Sequence, residues 1–339
     1  MKLIVQIPCL NEQHTLPETV AGIPRDIMGV DKVEVLIIDD GSTDRTVEVA
    51  REIGVDHIVR HLNTKGLAPA FRTGIDACLR RGADIIVNTD GDNQYYGADI
   101  PALIEPILRG EADIVVGDRQ THSVAHFSTF KKLLQKYGSA VVRRVSRTTV
   151  PDAVSGFRAI SREAALQLNI VSPFSYTIEM LIQAGRKKMA VAAVPVRTNA
   201  KTRNSRLFKS IPQFLERSLT TMVRMYSMYR PLKFFVAIGA LITIIGALPV
   251  IRFLYLYAIG QGEGHVQSLV LAGALLVIGL MTFLIGLVAD LIGFNRQLME
   301  MTLEKVRRIE LEMGILENDP TAMDEMTRDE RERTGAGSL

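Results

Sequence analysis

The sequence contains only two cysteines, Cys9 and Cys78, and no tryptophan in 339 residues. Neither cysteine belongs to a CxxC spacing, so no zinc site or dithiol redox motif is legible. Both lie in apolar surroundings and read as buried thiols of a reducing compartment. A large charge of one sign is also missing: the formal net charge is +3, which gives no basis for general nucleic-acid binding. The first turn carries no GxGxxG, which weighs against a dinucleotide fold. The opening stretch, MKLIVQIPCLNE, becomes polar too soon for a signal peptide and reads as a first buried strand.

What is present is a regular alternation. Apolar runs of strand length occupy residues 3–8, 33–38, 57–60, 84–89 and 113–116, and helical patterns fill 15–22, 44–52, 68–80 and 100–108. Continuous β-branched runs separated by helices predict an α/β domain whose mostly parallel sheet is covered on both faces. Such sheets bind ligands at the carboxyl ends of their strands. The polar residues gather there: Asn11 and Glu12 after the first strand, Asp39 and Asp40 after the second, Asp90 and Asp92 after the fourth.

Past about residue 230 the composition changes. Residues 234–251 form 18 positions without a charge and residues 269–289 form 21. A bilayer core needs about 20 apolar residues, and two such runs are hard to reconcile with buried soluble helices. Arg224, Arg230 and Lys233 precede the first run, Arg296, Lys305, Arg307 and Arg308 follow the second, and the connecting residues 258–268 hold neither Lys nor Arg. This asymmetry predicts an integral membrane protein with both termini and the α/β domain cytoplasmic. Basic residues are dense between Lys131 and Lys233, which points either to an anionic partner or to a solvated basic face. The expected organisation is an α/β domain over 1–207, an amphipathic juxtamembrane helix over 208–231, a two-helix hairpin over 232–294, an amphipathic helix over 295–317 and a disordered tail over 318–339. The helix over 295–317 and the paired spans favour a homo-oligomer.

Two motifs carry chemistry. Asp90-Gly91-Asp92-Asn93-Gln94 places two carboxylates and an amide at alternate positions, a donor set for one hard cation, Mg2+ or Mn2+. An Asp- and Gly-rich turn is the plain alternative. Asp39 and Asp40, in the run Ile38-Asp39-Asp40-Gly41-Ser42-Thr43-Asp44, are placed to accept hydrogen bonds from a nucleotide base or ribose. Thr43 or Asp44 is placed to cap the helix that follows.

Five segments together resemble the family-2 glycosyltransferases, in the branch of dolichol-phosphate mannose synthases and bacterial polyprenyl-phosphate glycosyltransferases. They are IPCLNE (7–12), IDDGSTD (38–44), TDGDNQ (89–94), VGDR (116–119) and DAVSGFR (152–158). The resemblance covers roughly residues 1–210 and implies a GT-A catalytic domain, Rossmann-like with a mostly parallel sheet, followed by two transmembrane helices. It implies that Pro8, Leu10, Glu12 and Asp40 hold the nucleotide, and that Asp90, Asp92 and Gln94 hold the metal. Leu10 departs from the frequent Tyr of relatives. It implies that Arg119 contacts phosphate and that Lys131, with Lys132 as its alternative, and Gln135 lie at the lipid phosphate. Ser155 and Arg158 fall beside the reacting centre, and Lys201 and Arg206 resemble a distal basic pair over the diphosphate.

The reaction this implies is an inverting displacement in which a lipid-phosphate oxygen attacks the anomeric carbon of a nucleotide-sugar, a UDP-hexose or UDP-N-acetylhexosamine or GDP-mannose. Asp152 is expected to orient the cations or act as base, with Glu179 competing for that role. The partners implied are a nucleotide-sugar, a polyisoprenyl phosphate, undecaprenyl or dolichyl, and the lipid bilayer, with no nucleic acid. A processive polysaccharide synthase, the first rival, usually carries QxxRW, which a chain without tryptophan lacks. A non-catalytic membrane scaffold is the second rival.

Overall fold

The computed structural model describes residues 1–120, 143, 146, 148–171, 176–199, 220, 223, 224, 226–260 and 266–313. Lys131, Lys132, Gln135, Lys201 and Arg206 lie outside the described residues, as do most of the expected juxtamembrane helix and the tail.

The strands are β1 (Lys2–Cys9), β2 (Lys32–Asp39), β3 (His57–Arg60), β4 (Ile85–Asn88), β5 (Ile114–Asp118), β6 (Arg158–Ser161) and β7 (Val191–Pro195). They form one seven-stranded sheet in the order β3-β2-β1-β4-β6-β5-β7. Every pairing is parallel except those of β6, which runs antiparallel to both β4 and β5. Burial explains the apolar runs: Leu3, Ile4, Val5 and Ile7 of β1 and Val35, Leu36, Ile37 and Ile38 of β2 are all fully buried, as expected of strands covered on both faces. The covering helices are α1 (Leu16–Ala21), α2 (Thr46–Glu52), α3 (Leu67–Arg80), α4 (Ile100–Leu108), α5 (Arg162–Gln167) and α6 (Tyr176–Arg186). Asp44 accepts the backbone N–H of Thr46 at 3.0 Å, but the N-cap of α2 is Arg45, which makes no side-chain cap bond, so the expected cap by Thr43 or Asp44 is not formed.

Cys9 and Cys78 are both buried and free, and burial pushes both thiols well above their ordinary range. Glu34, on β2, is nearly buried. Burial opposes its charge, but Lys2, Lys32 and His57 all bond to it and pull its carboxyl down to about 2.

Two further helices are long and apolar enough to cross a membrane: α7 (Pro231–Ala258) and α8 (Val266–Glu312). The most apolar 18-residue stretch of each has a mean hydropathy of 2.6, and only 11% and 17% of those stretches are buried, unlike core helices of a soluble domain. α8 runs unbroken for 47 residues, through the boundary expected at 294. Contacts divide the chain into two compact units, one of Met1–Arg206 with Leu303–Leu339 and one of Leu207–Thr302. In the first unit, Arg307 near the end of α8 reaches Asp76 on α3 at 3.1 Å and the Leu168 carbonyl at 2.9 Å.

Candidate active site

The antiparallel strand decides which residues meet. Arg158 opens β6 and pairs in register with Asn88, at the end of β4, and with Val116 in β5. Residues 152–157 therefore lie at the carboxyl ends of β4 and β5, where the 89–96 loop and Arg119 emerge. Asp152, 2% exposed, takes Arg119 in a two-point pair, Nε to Oδ2 at 2.7 Å and Nη2 to Oδ1 at 3.1 Å. Burial works against the charge on Arg119, but Tyr95 and Asp152, followed by Asp90, outweigh it and push its pKa up. A planar guanidinium fixed on one edge by a carboxylate is pre-organised to offer its other donors.

The Asp90–Gln94 loop is gripped from several sides. Thr15 Oγ1 and Thr19 Oγ1 of the α1 region donate to the Gly91 carbonyl at 2.8 and 3.3 Å. Asn93 stands in the left-handed region at φ 56°, which asparagine tolerates. Its amide donates to Glu18 at 3.1 Å. From the far side, Asn199 donates its amide to the Asn93 carbonyl at 3.0 Å and its backbone N–H to the Gln94 carbonyl at 2.9 Å. Gln94 donates its N–H to Asp92 Oδ1 at 3.2 Å. Asp90 and Asp92 supply the carboxylate oxygens a hard divalent cation takes. Among the described residues no group of three His, Cys, Asp or Glu converges anywhere, so a cation here would draw further ligands from amides, water or substrate.

The first two strands present their own set. Pro8 is buried inside β1, in register with Ile38, and Leu10 is half-buried just beyond. Glu12 Oε2 lies 2.9 Å from Thr15 Oγ1, sharing that hydroxyl with the Gly91 carbonyl, and the Glu12 backbone N–H donates to Thr46. Asp39 accepts the Ser42 N–H at 3.2 Å and lies 3.2 Å from Arg60. Asp40 is taken up by protein groups: one oxygen meets His61 Nδ1 at 2.7 Å and the Lys65 N–H at 2.9 Å, the other the Gly66 N–H at 2.8 Å. It thus holds the entry to α3.

Two residues behave differently from the sequence expectation. Arg158 is fully buried and points inward, donating to the carbonyls of Ser155, Thr177 and Ala153, each at 2.8 Å. Burial pulls its pKa down to about 10, so it remains charged at neutral pH while bracing residues 152–158 and α6. Glu179 is fully buried on α6, accepting the Val171 N–H at 3.1 Å and the Gln183 amide at 3.3 Å. Ser155 is fully buried as well. Sequence reasoning passed over Asn88, Tyr95, His61 and Asn199. Only Tyr95, directly after Gln94, carried a local signal by position.

The chain belongs to glycosyl transferase family 2, whose model matches residues 4–168. Its fold is GT-A. A dolichol-phosphate mannosyltransferase of Pyrococcus furiosus is 32% identical over 203 residues, 58% of this chain and 56% of that one. The chain thus spans about half the length of that relative. An uncharacterized glycosyltransferase of Mycobacterium bovis is 30% identical over 199 residues, 58% of this chain and 85% of the relative. Among solved structures, glucosyl-3-phosphoglycerate synthase of Mycobacterium tuberculosis, in complex with Mn2+, UDP-glucose and glycerol 3-phosphate, superposes with a TM-score of 0.50 at 25% identity, covering 67% of this chain and 79% of that chain.

Proposed function

We propose that the protein transfers a sugar from a nucleotide-sugar to the phosphate of a polyisoprenyl lipid, inverting the anomeric carbon, at the cytoplasmic face of a membrane. The observation that carries this reading is the Arg119–Asp152 pair beside the Asp90–Gln94 loop, in a chain with two helices long enough to cross a bilayer. The relatives named for transfer to lipid phosphates support it.

Asp90 and Asp92, with Gln94, would hold Mg2+ or Mn2+, which neutralises a departing diphosphate when bound. The protein residues divide the remaining work. Glu12, Asp39 and Asp40 shape the nucleotide side. Arg119 draws the acceptor phosphate toward the sugar, and Asp152 fixes its direction. A phosphate monoester has its second pKa near about 6, so the attacking oxygen is already ionised and needs no strong base. Catalysis then rests on positioning and on charge arranged in advance. Arg158 braces the acceptor-side segment. Lys131, Lys132, Gln135 and Ser155 complete the acceptor side of this reading, and Lys201 and Arg206 the diphosphate side.

The test supplies purified protein with polyprenyl phosphate, Mn2+ or Mg2+, and radiolabelled UDP- and GDP-sugars in turn. Labelled lipid with one donor, absent in Asp92→Ala, is the expected result and names the sugar. Label in a growing polymer would instead indicate a polysaccharide synthase. Nucleotide binding without transfer to any lipid would indicate a scaffold.

A further inference from the structure

Building on the donor reading above, we infer that Gly156 is a positioning residue for Asp90, locking the acceptor-side segment against the carboxylate of the cation loop. Gly156 is held at both main-chain groups. Its N–H donates to the Tyr95 hydroxyl at 2.8 Å, and its carbonyl accepts the Asn88 amide at 2.9 Å. Neither partner is loose. Asn88 accepts from Gln6 at 2.9 Å and donates to the Tyr176 hydroxyl at 3.0 Å. The Tyr95 ring stacks on Phe157 at 5.1 Å, and Tyr176 stacks on Phe71 at 4.1 Å. Gln6, Asn88, Tyr95 and Tyr176 are all buried, where a satisfied polar network is stiff and a broken one costly.

Against this fixed backbone lies Asp90. A Cβ at position 156 would sit 3.0 and 3.1 Å from the two Asp90 carboxylate oxygens and 3.1 Å from the Tyr176 hydroxyl. The φ of Gly156 lies outside the left-handed region, so the turn itself does not demand glycine; the approach of the carboxylate does. Tyr95 leaves the loop that bears Asp90 and bonds the segment that bears Asp152. The donor-side and acceptor-side elements therefore share one joint. A methyl group at 156 requires the Asp90 carboxylate and the Tyr176 hydroxyl to give by a few tenths of an ångström, since the backbone behind it is held by both hydrogen bonds.

The experiment measures Mn2+ affinity by electron paramagnetic resonance, with UDP or GDP present, in wild type, Gly156→Ala and Tyr95→Phe. Gly156→Ala is expected to weaken Mn2+ about tenfold or more, in line with the loss of groups that orient metal ligands. Its metal-free melting temperature should stay within a few degrees of wild type. Tyr95→Phe should shift affinity in the same direction by a smaller factor. Equal affinity in wild type and a folded Gly156→Ala overturns the inference alone. If Gly156→Ala shows no cooperative melting, Tyr95→Phe decides, and wild-type affinity in it overturns the inference. A wild type that retains no Mn2+ with either nucleotide overturns the donor reading and the inference with it.

Discussion

The two compact units invert each other's packing. In the first, the largest apolar side chains are inside: Leu3, Ile7, Leu36, Phe71 and Phe157 are fully buried. In the second, Leu241, Ile244, Leu248, Val277 and Leu280 are exposed, and the buried residues of α7 are Pro231, Gly239 and Gly246. Water excludes bulk apolar side chains, whereas lipid accepts them and leaves helix association to close backbone approach. At Gly239 a Cβ would lie 3.0 Å from the Gly279 carbonyl, and at Gly246 it would lie 2.8 Å from the Leu275 Cβ. One unit is specified by what it hides, the other by how little stands between its helices.

That contrast can be strained at several points, starting with the largest effect. Asp152→Asn removes the counter-charge of the half-buried Arg119, and sugar transfer should fall by at least about a hundredfold, the scale of losing one charge-arranging group. Near-normal turnover would take Asp152 out of the mechanism. Gly246→Leu overpacks the seam of the hairpin and should cost about 1–3 kcal/mol of hairpin stability, read as thermal unfolding in detergent. Nucleotide binding should not change; if it falls equally, the units are not independent. Glu34→Gln targets the first unit alone. Because the native carboxyl is held near 2 against an ordinary value of 4.5, its contribution is complete above about pH 4.5 and disappears as pH falls toward 2. The variant should therefore be less stable than wild type at neutral pH, by at most about 3 kcal/mol, and indistinguishable near pH 2. Acid titration of unfolding would show whether the gap closes in that window. Smallest, Cys9 and Cys78 should resist alkylation at pH 8 until the protein unfolds, since burial suppresses their thiolates.

Much of this was legible in the sequence where periodicity and burial coincide. β1, β2, β4 and β5 stand out because both faces of the sheet are covered there, which forces near-continuous apolar runs, and the two long helices stand out because lipid tolerates apolar residues on every side. β6 and β7 did not: β6 opens on an arginine and closes on a serine, and β7 is only partly buried. The site divided similarly. The Asp90–Gln94 loop announces itself by composition, and the Arg119–Asp152 pair entered through resemblance. What sequence leaves open is direction. Arg158 has the charge for a phosphate ligand, yet its strand start turns it onto three carbonyls. Asp40 has the right position for a nucleotide, and its carboxylate also anchors the entry to α3 through His61 and two backbone N–H groups. Such outcomes depend on how the chain turns back on itself, through Thr177 for Arg158 and His61 for Asp40, and no local pattern encodes them.

The order in which the chain is synthesised gives one structural detail an unexpected weight. The first unit includes residues from Leu303 onward, where Arg307 meets Asp76 and the Leu168 carbonyl. Those residues leave the ribosome after both apolar helices. The unit that carries the Asp90–Gln94 loop therefore gains its Arg307 contacts only once both apolar helices have been made.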